Sequence, residues 1–164
     1  MDGVERFQDL VTWQRMHELS LEIRKTADHP PIASDYKFRG QLTDAADSAA
    51  RNVAEGFARY NPAEFARFLD VSRASATEVR ACLRTASEAG WISDGDFEHL
   101  DALARRGLQA LAKFQRYLRS EEARRNAKRA RYAHQSRPND SNDSNDSNDS
   151  NGSNDSNGSN DSND

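Results

Sequence analysis

Residues 38–59 define the helix that any fold of this chain must accommodate. At about 100° per residue, Phe38, Leu42, Ala45, Ala46, Ala49, Val53 and Phe57 fall on one apolar stripe. Beside it Gln41, Ser48, Asn52, Glu55 and Arg59 form a polar row, because steps of seven, four, three and four return to the same helix edge. An apolar stripe flanked by ordered polar groups predicts a helix that packs on one side and holds a specific contact beside it.

Three more helices follow from their ends. The first is expected from Phe7 to Ala27 and is stopped by Asp28-His29-Pro30-Pro31, since proline removes a backbone donor and restricts its predecessor. The second ends near Arg59. Asn61 as N-cap and Pro62 in the first turn open the third, whose core face includes Phe65, Leu69, Ser72, Val79 and Leu83, and Gly90 closes it. A fourth begins after Ser93 or Asp94, with Leu100, Ala104, Leu108, Leu111, Phe114 and Leu118 as its main stripe, and the pattern continues as a basic helix to about Arg131. Strand signals are sparse. The expected fold class is all-α: an up-down four-helix bundle over 7–120, a basic helical extension over 121–138 and a disordered tail over 139–164.

The tail contains only Asn, Asp, Ser and Gly, which cannot bury apolar surface against the entropy of ordering. It also carries seven of the 27 acidic residues, so the net charge of −4 becomes +3 once it is set aside, with 23 basic against 20 acidic residues. Between Arg105 and Arg137 eleven Lys or Arg face only Glu121 and Glu122. Such a cluster suits polyanions, and equally forms an ordinary solvated helix face.

The candidate polyanion contacts are Arg73, Arg80 and Arg84 on the third helix. The fourth adds Arg105, Arg106, Lys113 and Arg116, and its extension adds Arg124, Arg125, Lys128 and Arg129. As phosphate contacts they would give sequence-independent, salt-sensitive affinity. Two helices also carry surplus apolar surface. Met16 and Ile23 lie nearly opposite the Phe7, Leu10, Val11 and Leu21 strip, while Leu103 and Tyr117 form a narrow second stripe on the fourth helix. Each large side chain left in water forfeits roughly 1.5–3 kcal/mol, so a homo-oligomer is expected.

Chemistry-bearing constellations are few. His17, His29, His99 and His134 stand on separate segments without ligand spacing, so no metal or cofactor site is expected. Asn52 and Glu55 lack a histidine, a Ser-His pair or a phosphate loop beside them, and a structural role outweighs a catalytic one. The single Cys82 allows no intramolecular disulfide and shares an apolar helix face. The N-terminus lacks a secretory pattern and no apolar run reaches membrane-spanning length, so the cytoplasm is the expected compartment and a membrane is not an expected partner.

Gln41, Ala45-Ala46, Ser48, Asn52, Ala54-Glu55-Gly56 and Arg59 resemble the Gln…Ala-Ala-x-Ser-x-x-x-Asn-x-Ala-Glu-Gly-x-x-Arg signature of a four-helix bundle family. This is the family that includes the 23S rRNA intervening-sequence proteins. Arg73, Ser75 and Glu78 are similar to its Arg-Gly-Ser…Glu pattern, and Ala89-Gly90-Trp91-Ile92 to its Leu-Gly-Tyr-Ile turn; the likeness runs from Phe7 to Leu118. The resemblance extends to the accessory protein of diversity-generating retroelements, a pentameric barrel that binds reverse transcriptase and nucleic acid. It therefore implies a homopentamer, RNA or DNA as partner, a reverse transcriptase or other protein as the alternative partner, and no enzymatic activity. Thr43-Asp44 stand where many relatives carry two Arg, and this −3 change in local charge weakens nucleic-acid binding through the second helix.

Overall fold

The computed structural model describes residues 4–59 and 61–135; the expectations placed on 136–164 lie outside them. The described residues form five α-helices and no strand: α1 Val11–Ala27, α2 Tyr36–Phe57, α3 Pro62–Glu88, α4 Asp94–Leu118 and α5 Glu121–Gln135. Short 3-10 turns cover Phe7–Asp9 and Ile32–Ser34. α1 packs on α2 and α4, and α3 packs on the same two, which with short connections makes an up-down four-helix bundle; α5 leans on α3 and α4.

The ends follow local chemistry. The Asn61 side chain accepts from Ala63 N–H at 2.9 Å, with Pro62 as the first helical residue. Ser93 accepts from Asp96 N–H at 3.1 Å and donates to its carboxylate at 2.6 Å. Gly90, at φ 69°, ends α3, and Trp91 N–H bonds back to Ala86 C=O at 2.8 Å, satisfying a terminal carbonyl.

Two expectations about continuity are corrected. The first helix does not start at Phe7: Leu10 is extended (ψ 120°) and turns its side chain into the core, and the α-helix begins one residue later. The fourth does not run on to Arg131. It stops at Leu118, and Ser120 Oγ accepts from Ala123 N–H at 3.3 Å, capping a new helix. The apolar stripe ends at that joint, so nothing draws a continuous helix along the bundle.

The surplus apolar surface is also placed differently. Met16, Ile23 and Leu103 are 0, 0 and 3 % exposed inside the chain's own core, because α1 is clasped by both α2 and α4. The unpartnered side chains on α1 are Val11 and Leu21, at 62 and 46 % exposed. Tyr117 remains half-buried.

Two glycines of α2 differ sharply in surroundings. A Cβ on Gly56 would lie 2.6 Å from Phe65 Cε2 and 3.0 Å from Phe68 Cβ, whereas one on Gly40 would meet nothing within 4 Å. Gly56→Ala is expected to lower stability by about 1–3 kcal/mol through overpacking. Gly40→Ala is expected to raise it by up to about 1 kcal/mol through helix propensity. Urea titration of both variants measures the contrast.

Candidate nucleic-acid interface

The polar row of α2 meets α3. Gln41 Nε2 donates to Glu78 at 3.2 Å, Ser48 and Ser75 share a hydroxyl bond of 2.9 Å, and Ser72 donates to Ala49 C=O at 2.7 Å. Asn52 Nδ2 donates to the Ser48 carbonyl at 2.8 Å and its hydroxyl at 3.1 Å. The first three bonds form a seam between α2 and α3, the Asn52 bonds brace Ser48 from within α2, and Asn52 and Ser72 are buried. The hydroxyls spend their capacity on one another and on backbone, and the carboxylate of the row, Glu78, accepts from Gln41.

Other signature residues lie outside the seam. Glu55 is exposed and meets no cation among the described residues. Arg59 places its guanidinium 4.9 Å over the Phe68 ring. Gly56 serves the close approach of Phe65. Cys82 is buried, and burial, with the Glu78 carboxylate nearby, pushes its thiol pKa up, away from the reactive thiolate.

The structure divides the candidate basic residues into two groups. On α3, Arg80 forms a two-pronged pair with Asp101 of α4 (2.6 and 3.4 Å), and Arg105 reaches the same carboxylate at 3.1 Å. Arg84 lies 4.5 Å over Phe97. Arg73 reaches Asp70 at 3.4 Å, and Arg119 binds the other oxygen of that carboxylate at 3.0 Å. Gln115 Nε2 donates to Asp70 at 2.7 Å and to Ala66 C=O at 3.0 Å. Arg80 and Arg119 tie α3 to α4, Arg73 and Arg105 reach the same two carboxylates from within their own helices, and Arg84 rests on an aromatic ring. Sequence reasoning missed Gln115, although a glutamine between Leu111 and Leu118 on the apolar stripe is the signal for a buried amide with a partner.

The second group points outward. Arg106, Lys113 and Arg116 of α4 and Arg124, Lys128 and Arg129 of α5 are exposed, with no carboxylate at ion-pair distance among the described residues. Arg125 reaches Glu121 only at 3.8 Å, with both side chains largely in water. Ala123 is buried, which turns the cations at 124, 125, 128 and 129 away from the bundle. Beside Lys113, a groove of about 500 Å³ opens between the N-terminal segment and α4, lined by Val4, Leu10, Val11, Ala110, Phe114 and Tyr117, with Asp9 at its rim.

Among the described residues no three His, Cys, Asp or Glu converge as a metal set, and no helix is long and apolar enough to cross a membrane.

Comparison with known proteins agrees with this architecture. The family model described as 23S rRNA-intervening sequence protein matches residues 8–113. A solved protein of unknown function from the S23 ribosomal protein family of Bacteroides thetaiotaomicron superposes with a TM-score of 0.59 at 15% identity. That likeness covers 67% of this chain and 100% of the other, and shows the fold. No functionally curated protein matches. The α2–α3 seam lies inside the matched span and α5 lies beyond it.

The seam generates a ranking. Asn52→Ala should cost about 1–2 kcal/mol, since it strips a buried amide from two acceptors. Glu55→Ala should stay within about 0.5 kcal/mol. Thermal and urea denaturation test the order, and a larger loss at Glu55 would overturn this placement of the two residues.

Proposed function

The chain belongs to the 23S rRNA-intervening sequence protein family, and from that premise we propose that it is a non-catalytic, homo-oligomeric scaffold that associates with nucleic acid. The observation that carries this reading is the division among the basic residues. Cations that could neutralise phosphate are those left outside the bundle's own pairs; Lys37, Arg51 and Arg67 stand singly on α2 and α3, whereas Arg106, Lys113, Arg116, Arg124, Lys128 and Arg129 gather on α4 and α5. A solvated helix face with four cations turned outward gives affinity without base readout. The matched family's name refers to 23S rRNA, which makes RNA the first ligand to test.

Assembly would add avidity to a patch that is weak in one copy. The apolar groove between the N-terminal segment and α4, with Val11 and Tyr117 at its wall, is the surface on the chain most suited to a second copy. Burial there would recover apolar area that the monomer leaves wet. A pentamer is the stoichiometry that the family resemblance implies. A structural role for the polar seam is supported by the hydrogen bonds that its hydroxyls and amide make with one another and with backbone. A reverse transcriptase or other protein docked on such a ring is the alternative partner, favoured by the pairing of Arg73, Arg80 and Arg105 within the bundle.

Fluorescence anisotropy with a single-stranded RNA at about 50 mM salt tests the leading reading. Binding should weaken steeply as salt rises. Changing Arg124, Arg125, Lys128 and Arg129 together to Gln should reduce the slope of log K against log salt by up to about 3. Absence of binding both by the full chain and by a chain ending at Pro138 would leave the protein-docking adaptor.

Light scattering should return a mass several times 18.4 kDa. Tyr117→Glu should weaken self-association at least about tenfold, near 1.4 kcal/mol, whereas Arg129→Glu should not. A monomer at micromolar concentration would overturn the assembly.

A further inference from the structure

The outward row of α5 lacks acidic partners in the bundle, yet the chain continues from this helix into its most acidic segment. Residues 139–164 hold seven Asp and neither Lys nor Arg. We propose that this segment occupies the Arg124, Arg125, Lys128 and Arg129 row as an intramolecular polyanion, which nucleic acid must displace. The regulatory half rests on the function proposed above; the contact itself does not.

Charge complementarity and reach carry the assignment. The 15-residue α5 is about 22 Å long, and a coil with as many residues as the segment spans about 25–30 Å. The segment can therefore lie back along the whole helix that precedes it. Single exposed pairs are weak, but a tether this short holds its carboxylates near the row at an effective concentration on the order of millimolar. The Asp residues recur every three positions over 140–149, so several arrangements of carboxylate against guanidinium are equivalent, and no unique fit is needed. The bundle cannot supply the same service. Around the α4–α5 joint Asp70 is held by Arg73, Arg119 and Gln115, Glu121 already lies beside Arg125, and Glu122 adds one further carboxylate in the first turn of α5.

Three full-length proteins test the proposal: the natural chain, a variant with all seven tail Asp changed to Asn, and a variant with Arg124→Gln, Arg125→Gln, Lys128→Gln and Arg129→Gln. In ¹H–¹⁵N spectra without nucleic acid, the tail Asp amide signals of the natural chain should move as salt is raised from about 50 to about 200 mM. At low salt in the Gln variant they should already sit near their high-salt positions. Oligouridine should bind the Asn-tail variant about tenfold more tightly than the natural chain at low salt. Tail signals identical in the natural and Gln chains would overturn the contact, whatever the RNA result. Signals that differ while no protein binds oligouridine would uphold the contact and overturn the nucleic-acid function. Signals that differ with equal RNA affinity in the natural and Asn-tail chains would overturn the displacement.

Discussion

The close approach of α2 to α3 is the constraint on which the rest of the molecule depends. Ala45, Ala46 and Ala49 carry no bulk, so the two backbones come near enough for Ser48 to reach Ser75 and for Ser72 to reach the Ala49 carbonyl. At that separation each hydroxyl must be paired, because an orphaned polar group in a dry interface costs about as much as a methyl-sized cavity. Gly56 then admits the Phe65 ring, which stands edge-on to both Phe57 and Phe114 at 6.5 and 5.1 Å between ring centres. Through Phe65 the spacing of α2 and α3 also sets where α4 can sit.

The same chain uses arginine in two different capacities. Between α3 and α4, guanidiniums converge on Asp70 and Asp101, whose side chains are 39 and 14 % exposed; planar forks suit this sharing of one carboxylate by several donors. On α5 the cations at 124, 125, 128 and 129 are exposed, with only Arg125 near a described carboxylate, Glu121 at 3.8 Å, and their field extends outward. A sequence count that pools both kinds overstates the charge available to a partner. On α3 and α4, pairing removes Arg73, Arg80, Arg105 and Arg119 from that supply.

The fold was legible in the sequence wherever local chemistry decides. Asn61-Pro62, Ser93 and Gly90 mark helix ends through backbone donors and dihedral angles that need no tertiary context. Periodicity found the core faces of α2 and α3. It failed where the choice lay between two apolar faces of one helix: on α1, Met16 and Ile23 turn inward and Val11 and Leu21 outward, a matter settled by neighbours on both sides. The break at Ser120 had a local signal, a capping serine followed by the acidic first turn Glu121-Glu122, but the basic run that resumes at Arg124 masked it. The polar row of α2 was legible as a row, but its partners were not, since Ser75 and Glu78 are brought opposite it only by the antiparallel pairing of α3. For the basic residues, spacing placed them on faces without revealing which faced a carboxylate.

The two carboxylate clamps joining α3 to α4 have opposite polarity along the chain. Near the start of α3 the acid is on α3 and the base on α4 (Asp70 with Arg119); further along, the base is on α3 and the acid on α4 (Arg80 with Asp101). Sliding α4 by one turn, about 5.4 Å, would unseat both clamps together. Aligning α4 parallel to α3 would bring Asp70 towards Asp101 and Arg80 towards Arg119, so repulsion replaces attraction at both points. The pair behaves like a key cut at two depths, admitting one direction and one register. An interface of leucine and alanine alone would slide far more readily between neighbouring registers.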